Sequence, residues 1–311
     1  FEFDMLDLDV PEAENDIIWK AAKPSRAREE NGNIILTIPF RAQKQGEFEP
    51  DPAVSPASYD MIIRAYGDEI LRTTLVYEGE FPEDENNVMV EWDSGLEKNN
   101  LSLEIIENGW EIYDENGIMR MKIDIGDKPV KKWSDQIQSP FPEFKAAVFP
   151  DGEVQVPFMD HDHFYPGQVE SISLGFVERD DQPHRCMYSL HASPQEKFAG
   201  TGERFERMDL AGKTFILKNT DALGVNSRRA YKNVPFYVSS RPYGLLNLTG
   251  AEVKLSLADI STRAAQGLIQ DSKMDLFFIG GGDLERIVYN YRRITGFPRN
   301  VPRWSYGTWM S

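Results

Sequence analysis

Apolar and polar residues alternate with a period of two along most of this chain, which is the pattern of β-strands that bury one face. Such segments recur about every ten residues, and Gly, Asn, Asp and Pro, which favour tight turns, separate them. This spacing predicts an all-β fold, an antiparallel β-sandwich. The predicted strands cover residues 33–38, 59–66, 71–77, 87–92, 101–106, 110–113, 118–125, 169–176, 234–238, 244–248, 253–257 and 274–279.

Tight turns and one helix interrupt this alternation. Asn108–Gly109 and Asn116–Gly117 are predicted to form hairpin turns, because Asn and Gly tolerate positive φ angles. Near the C-terminus apolar residues recur every three or four positions, which predicts a helix over residues 284–295. Asp283 is placed to cap its first turn and Gly296 to end it. Its predicted apolar face is formed by Leu284, Ile287, Val288, Tyr291 and Ile294.

The charge of the chain excludes some classes of partner. Its 311 residues include 34 Lys and Arg against 51 Asp and Glu, a formal net charge of -17 at pH 7. Such an acidic chain repels phosphate backbones, so we expect no nucleic-acid partner. No run reaches the roughly 18 apolar residues of a membrane helix, so we expect no membrane partner. We expect a soluble protein, and the sequence leaves open whether its compartment is the cytoplasm or the periplasm. The one cysteine, Cys186, is interpreted as a core thiol.

Most clusters that resemble catalytic or metal motifs are better explained structurally. Residues 160–163 read Asp-His-Asp-His, but an extended segment presents only two of these side chains on each face. We interpret them as a polar loop and expect neither a metal nor another cofactor. The glycines at 280–282 lack the Lys and Ser or Thr of a phosphate-binding loop and are interpreted as a linker before the helix.

Residues 198–237 favour a binding function. They combine glycines, a Glu203–Arg204 pair, a polar loop over 218–231 and the aromatic run Tyr231 to Tyr237. Polar loops between aromatic strands suit sugars, because carboxylates and amides bind the hydroxyl groups while rings cover the apolar faces. An ordinary long loop is the alternative explanation for the same composition.

The motifs in this region resemble a known family. They are Phe198-x-Gly-x-Gly-Glu-Arg-Phe205, Asn219-x-Asp221, Ala230-Tyr-Lys-Asn-Val-Pro-Phe-Tyr237, Tyr291-x-x-x-Thr-Gly296-x-Pro298 and Pro302-x-Trp304-Ser-x-Gly307-x-Trp309. Their order and spacing resemble the N-terminal region of glycoside hydrolase family 31, the retaining α-glucosidases and α-xylosidases, and the 230–237 motif looks most like the α-xylosidase branch. The resemblance is specific from about residue 198 onward and only architectural before it.

The resemblance implies a galactose-mutarotase-like β-sandwich beside a catalytic (β/α)8 barrel. We expect the sandwich over residues 1–297, and over 298–311 a linker with the first strand of a truncated barrel, beginning near Trp304. The family's nucleophile and acid/base are two aspartates on later barrel strands. Both would lie beyond Ser311, so no catalytic residue is expected in these 311 residues, and the chain alone should be inactive.

The resemblance also implies substrate-binding residues. The family's loop over the barrel mouth corresponds to the polar loop of this chain, and Asp221 is its matching carboxylate, expected near the leaving-group subsite. Asn219, Ala222 and Leu223 are the other candidate substrate-binding residues, although relatives more often have small polar residues or Gly at the last two positions. We interpret the Glu203–Arg204 pair as a structural ion pair.

Two classes of function follow from these observations. The first is the N-terminal domain of a retaining α-glycosidase that removes terminal α-linked xylose or glucose from oligosaccharides. Its partners would be the oligosaccharide and its own C-terminal barrel. The alternative is a non-catalytic carbohydrate-binding or oligomerisation module, which would form a homo-oligomer or bind sugar through the sandwich. A free mutarotase-like epimerase would need a His/Glu pair in a sugar cleft, and the sequence identifies none.

Overall fold

The sandwich is built from two antiparallel sheets. The computed structural model of the protein describes residues 15–43, 51–81, 89–126, 143–159, 172–220 and 230–308. Within these ranges lie 20 β-strands, one α-helix and a short 3-10 helix. The strands form one sheet of 15 strands and one of five. The predicted all-β, antiparallel fold is therefore confirmed.

The larger sheet takes strands from both ends of the chain. Its strands are β1 (Ile17–Ala21), β2 (Arg26–Glu30), β3 (Asn33–Gln43), β4 (Ala57–Tyr66), β5 (Ile70–Val76), β6 (Lys98–Asn99), β12 (Leu174–Arg179), β13 (Gln182–His191), β14 (Phe198–Gly202), β15 (Lys213–Leu217), β16 (Asn233–Ser239), β17 (Gly244–Asn247), β18 (Val253–Leu257), β19 (Ala264–Ile269) and β20 (Lys273–Ile279). Its main path is β14-β16-β17-β20-β5-β4-β3-β1-β12-β13-β19-β18-β15, with β2 on β3 and β6 on β4. The two ends of this path are β14 and β15.

The smaller sheet is a simple meander. Its strands are β7 (Leu101–Ile106), β8 (Gly109–Asp114), β9 (Met119–Asp124), β10 (Lys145–Val148) and β11 (Val156–Pro157), which pair in the order β11-β10-β9-β8-β7. Ile112, Met121 and Ile123 of this sheet belong to the same buried cluster as Ile34 and Leu36 of the larger sheet. The two sheets therefore share one apolar core, as in other sandwiches.

Strand β5 is covered on both of its faces. All of its residues, from Ile70 to Val76, are buried. Leu71 and Leu75 belong to the main core, whereas Ile70 belongs to a second apolar cluster under the C-terminal helix. A strand covered on both faces has no solvent side, so its polar residues Arg72, Thr73 and Thr74 are buried as well.

The C-terminal helix has the predicted bounds. Helix α1 (Leu284–Thr295) begins after Asp283, whose side chain accepts a hydrogen bond from the backbone N–H of Arg286, and ends at Gly296 with φ +91°. Tyr291 stacks on Phe236 of β16 with ring centroids 4.2 Å apart. Ile287 and Ile294 are buried, but Leu284, expected on the same face, is 57% exposed in the first turn.

Three predicted strands or turns need correction. Residues 89–92 form no strand, and Trp92 instead stacks on Tyr66 with centroids 4.8 Å apart. The turn predicted at Asn108–Gly109 lies one residue earlier, because Gly109 is already the first residue of β8. The strand predicted over 169–176 is observed as β12, beginning at Leu174, and residues 160–171 lie outside the described ranges.

The segment after the helix also differs from the expectation. A strand was predicted to begin near Trp304, but Arg303–Tyr306 forms a 3-10 helix that follows Pro302. An extended segment becomes a strand only by pairing with a neighbour, and no strand of the described ranges pairs with it. Trp304 and Tyr306 are 73% and 76% exposed. Trp309 lies outside the described residues.

Cys186 is the core thiol that the sequence predicts. It is fully buried on β13 and donates a hydrogen bond from Sγ to the carbonyl oxygen of Asp271 at 2.8 Å. Burial raises the pKa of this thiol well above its usual value.

Among the described residues, no helix combines the length and the apolar character needed to cross a membrane.

A buried ion pair joins the middle of the larger sheet. Arg72 on β5 donates from Nε and Nη2 to the two carboxylate oxygens of Asp275 on β20, at 2.8 and 2.7 Å. Their side chains are 1% and 5% exposed. Thr74 donates a further bond to Asp275, and the guanidinium of Arg72 lies over the ring of Phe277. The two charges thus satisfy each other away from water.

We expect Asp275→Ala to lower the free energy of unfolding by about 3–5 kcal/mol, because it leaves the buried guanidinium of Arg72 without its partner. Urea denaturation followed by circular dichroism measures this change. The matched control is Lys122→Ala, which breaks an ion pair with Glu111 whose lysine is 49% exposed and should cost at most about 1 kcal/mol. Equal losses in the two variants would contradict the assignment of a buried pair.

Candidate functional site

The described part of the predicted sugar site is the pair of chain ends that flank its loop. We call residues 218–220 and 230–233 the neck. Asn219 belongs to the neck, whereas Asp221, Ala222 and Leu223 lie outside the described residues. Asn219 and Ala230 form an isolated parallel bridge, and the backbone N–H of Thr220 donates to the carbonyl of Ala230 at 3.1 Å. The segments before and after residues 221–229 therefore lie side by side.

Side chains reinforce this backbone contact. The carboxamide oxygen of Asn219 accepts two hydrogen bonds from Asn233, one from the backbone N–H at 2.7 Å and one from Nδ2 at 3.0 Å. Nδ2 of Asn233 also donates to the carbonyl of Ala230 at 3.1 Å. Asn233 is the first residue of β16. It therefore connects the outgoing and returning ends of the loop to the sheet.

Arg204 also anchors the neck, by joining Asn233 to Phe215. Its Nη2 donates to the side-chain oxygen of Asn233, and its guanidinium lies over the ring of Phe215 on β15, 4.7 Å from the centroid. Burial lowers the pKa of this guanidinium from its usual value, but an arginine remains charged at neutral pH. Arg204 thus bridges the regions of β14 and β15, the two ends of the larger sheet.

The side chain of Glu203 points away from Arg204. It forms an ion pair with Lys232 at 3.0 Å, in which the two side chains are 74% and 70% exposed. The expected ion pair between Glu203 and Arg204 is therefore not the observed arrangement. The physical reason is that the chain bends at Glu203, directly after β14 ends, and turns the two neighbouring side chains to different partners. Arg204 faces inward to Phe215, whereas Glu203 faces solvent.

The glycines of the Phe198–Phe205 motif allow a close approach between strands. The pairing of β14 with β16 shifts register between Gly200 and Gly202. Gly202 has φ +92°, and a Cβ atom there would lie 2.1 Å from the carbonyl oxygen of Lys232. This backbone conformation and this distance are compatible only with glycine. The glycine spacing therefore serves to bring the neck against β14.

The aromatic residues around the neck divide into two groups. Tyr237 is fully buried and Phe236 is 8% exposed, so both belong to the core. Tyr231 is 57% exposed and Phe205 is 81% exposed. The aromatic run that suggested sugar stacking is thus partly structural, and Tyr231 and Phe205 are the rings beside the neck with accessible surface.

The other motifs weighed in the sequence do not form a competing site in the described ranges. Residues 160–163 lie outside them. Within them, no group of three or more His, Cys, Asp or Glu side chains is arranged to hold a metal ion. The backbone N–H of Gly281 donates to the carboxylate of Asp151 at 3.0 Å, which fixes the glycine run at the start of α1.

The sequence matches one family model. Residues 60–255 match the glycosyl hydrolase 31 N-terminal galactose mutarotase-like domain, and this match spans β4 to β18 and includes the neck. The chain belongs to this family. The resemblance proposed from the motifs is therefore confirmed, and the family 31 domain extends well before the motifs that first indicated it.

Curated relatives include two enzymes of different activity. The chain is 35% identical over 122 residues to an alpha-xylosidase of Emericella nidulans, and this alignment covers 39% of this chain and 16% of the relative. It is 31% identical over 127 residues to an isomaltosyltransferase of Sporosarcina globispora, and this alignment covers 39% of this chain and 12% of the relative. The chain thus spans a small part of the length of these relatives.

Solved structures support the same fold. A cycloalternan-forming enzyme from Listeria monocytogenes, in complex with a pentasaccharide substrate, superposes with a TM-score of 0.70 at 17% identity. The superposition covers 95% of this chain and 24% of that enzyme. At this identity the likeness shows the fold of the family 31 domain, which agrees with the sandwich described above.

Sequence reasoning missed the central residue of the neck. The 230–237 motif contains Asn233 without distinguishing it, yet this residue contacts Asn219, Ala230 and Arg204. Its neighbours in the sequence are Lys232 and Val234, and neither marks it as special. The available signal is that one asparagine precedes the predicted loop and another follows it. This arrangement predicts a contact only when the two flanking segments are known to be adjacent.

We expect Gly202→Ala to destabilise the family 31 domain by more than Gly212→Ala. Both glycines have positive φ, but a Cβ at Gly212 meets nothing nearer than Arg207 Nη2 at 4.0 Å. Gly212→Ala should therefore cost only the conformational penalty of about 1–2 kcal/mol. Gly202→Ala adds the collision with the Lys232 carbonyl. Urea denaturation compares the two, and equal free energies of unfolding would show that the neck moves aside without cost.

Proposed function

We propose that this chain is the N-terminal domain of a retaining α-glycosidase that acts on terminal α-linked xylose or glucose in oligosaccharides. In this proposal the domain supports a C-terminal (β/α)8 barrel that begins with residues 298–311, and its 221–229 loop borders a sugar subsite. The observation that carries the proposal is the family match over residues 60–255. The similarity to an alpha-xylosidase supports xylose as one substrate sugar.

The chemistry assigned to the barrel defines what this domain has to supply. A retaining glycosidase uses two carboxyl groups about 5 Å apart, one attacking the anomeric carbon and the other protonating the leaving oxygen. In our proposal both groups belong to the barrel. The loop of this domain then contributes to holding the sugar, through Asp221 near the leaving-group subsite with Asn219, Ala222 and Leu223 beside it.

The same site would serve hydrolysis or transglycosylation. Both reactions share the glycosyl-enzyme step and differ in whether water or a sugar hydroxyl attacks it. The isomaltosyltransferase relative supports a transfer reaction as the alternative outcome. A loop that binds the leaving-group sugar would also bind an acceptor sugar, because the two occupy the same side of the reacting bond.

In the full-length protein we expect Asp221→Ala to lower kcat/KM for an aryl α-xyloside by about tenfold to a hundredfold, the loss expected when a hydrogen bond to a charged group is removed. The fold should be unchanged, as measured by circular dichroism and thermal unfolding. Lys122→Ala is the matched control, because it alters an exposed charge on β9 of the smaller sheet, outside the neck, and should leave kcat/KM unchanged. Unaltered kinetics in Asp221→Ala would remove Asp221 from the site.

Calorimetry on the 311-residue chain separates the proposal from the alternative of a carbohydrate-binding module. We expect no turnover of aryl α-xylosides or α-glucosides and no heat of binding with xylo- or gluco-oligosaccharides, because the loop would form only part of a composite site. The exposed ring of Tyr231 is the feature that favours the module. Binding that is lost in Tyr231→Ala would support the module and contradict the composite site.

A further inference from the structure

We propose that Asn219, Asn233 and Arg204 form a clasp that holds the two ends of the 221–229 loop together. In this view Asn219 is a positioning residue and not a ligand of the sugar. The inference rests on the proposed function, because the position of the loop matters to the reaction only if the loop borders the substrate. It also changes one expectation from the sequence, in which Asn219 was a substrate-binding residue.

The hydrogen bonds of Asn219 are the first argument. A carboxamide oxygen has two lone pairs and accepts two hydrogen bonds. In Asn219 both are used by Asn233, at 2.7 Å from the backbone N–H and 3.0 Å from Nδ2. The oxygen is therefore engaged inside the neck and is not available to a sugar hydroxyl. Asp221, the carboxylate of the proposed subsite, follows two residues later in the chain.

Asn233 is the centre of the clasp. Its two side-chain N–H groups donate to Asn219 and to the carbonyl of Ala230, and its side-chain oxygen accepts from Arg204. A side chain with all its polar groups bonded in fixed directions has one favoured orientation, so it fixes both partners at once. The outgoing end of the loop at Asn219 and the returning end at Ala230 are thus tied through one residue.

Arg204 links the clasp to the rigid part of the sandwich. Its guanidinium is stacked on Phe215, which is 5% exposed and belongs to the main core. A displacement of the neck therefore breaks a charge-assisted hydrogen bond and a cation–π contact as well as the bonds of Asn219. By contrast, the ion pair of Glu203 and Lys232 is solvent-exposed and adds little to this restraint.

Hydrogen exchange on the 311-residue chain tests the clasp without reference to activity. The amides of Asn233 and Thr220 are both bonded within the neck, at 2.7 and 3.1 Å. We expect Asn219→Ala to speed their exchange by about tenfold, as expected for the loss of roughly one hydrogen bond. Asn219→Asp retains an acceptor for both donors and should exchange at close to the parent rate. Lys232→Ala is the control and should change neither amide.

Kinetics on the full-length protein test the positioning role. With an aryl α-xyloside we expect Asn219→Ala to raise KM several-fold while changing kcat less, and Asn219→Asp to restore KM. A sugar ligand would behave differently, because Asn219→Asp removes the Nδ2 donor and would be as impaired as Asn219→Ala. That result, or unchanged amide exchange in Asn219→Ala, would overturn the clasp.

A failure of the proposed function has a different signature. If the loop does not border the substrate, Asn219→Ala speeds the exchange of the neck amides but leaves KM and kcat unchanged. Asp221→Ala then also leaves KM and kcat unchanged. That combination would refute the positioning role together with the subsite. The exchange and kinetic measurements therefore separate an error about the neck from an error about the reaction.

Discussion

The gap between the two ends of the larger sheet is the constraint on which the rest of this domain depends. A β-sheet that does not close leaves two edge strands whose backbone groups must be covered. Here these are β14 and β15. The carbonyl oxygen of Phe198 on β14 accepts from the N–H of Leu210, and Arg204 reaches across to the ring of Phe215 on β15. Side chains and a connecting segment thus complete what strand pairing leaves open.

The neck of the candidate site lies at this gap. Residues 218–220 follow β15 and residues 230–233 lead into β16, the neighbour of β14, so both segments lie at the junction of the two edges. Within the strands, backbone pairing fixes each residue. At the junction the backbone supplies the bridge between Asn219 and Ala230 and a bond from the N–H of Glu203 to the carbonyl of Lys232 at 3.0 Å, and side chains add the rest. This explains why the side-chain hydrogen bonds of Asn233 and Arg204 are found at this junction.

The sequence predicted those parts of the fold that depend on local pattern. Helix α1 has the predicted bounds and most predicted strands overlap an observed strand, because burial of one face imposes a period that can be read directly. The alternation did not predict β1, β2, β14 or β15, nor β19, whose six residues are all buried and so do not alternate. The roles of Arg204 and Asn233 were also missed, since they depend on contacts between residues 29 positions apart. Asp221, Ala222 and Leu223 remain predictions from the family resemblance.

The charge of the chain bears on the proposed clasp, because the ligand in our proposal is a neutral oligosaccharide. A net charge of -17 disfavours anions, and a neutral oligosaccharide gains nothing from long-range steering. Its affinity must come from short hydrogen bonds and ring contacts, whose strength depends on groups held in place before binding. A loop that had to be ordered by the sugar would spend binding free energy on its own ordering. Fixing both ends of the loop to the core lowers this cost, which is the physical reason to expect a polar clasp beneath a neutral-ligand loop.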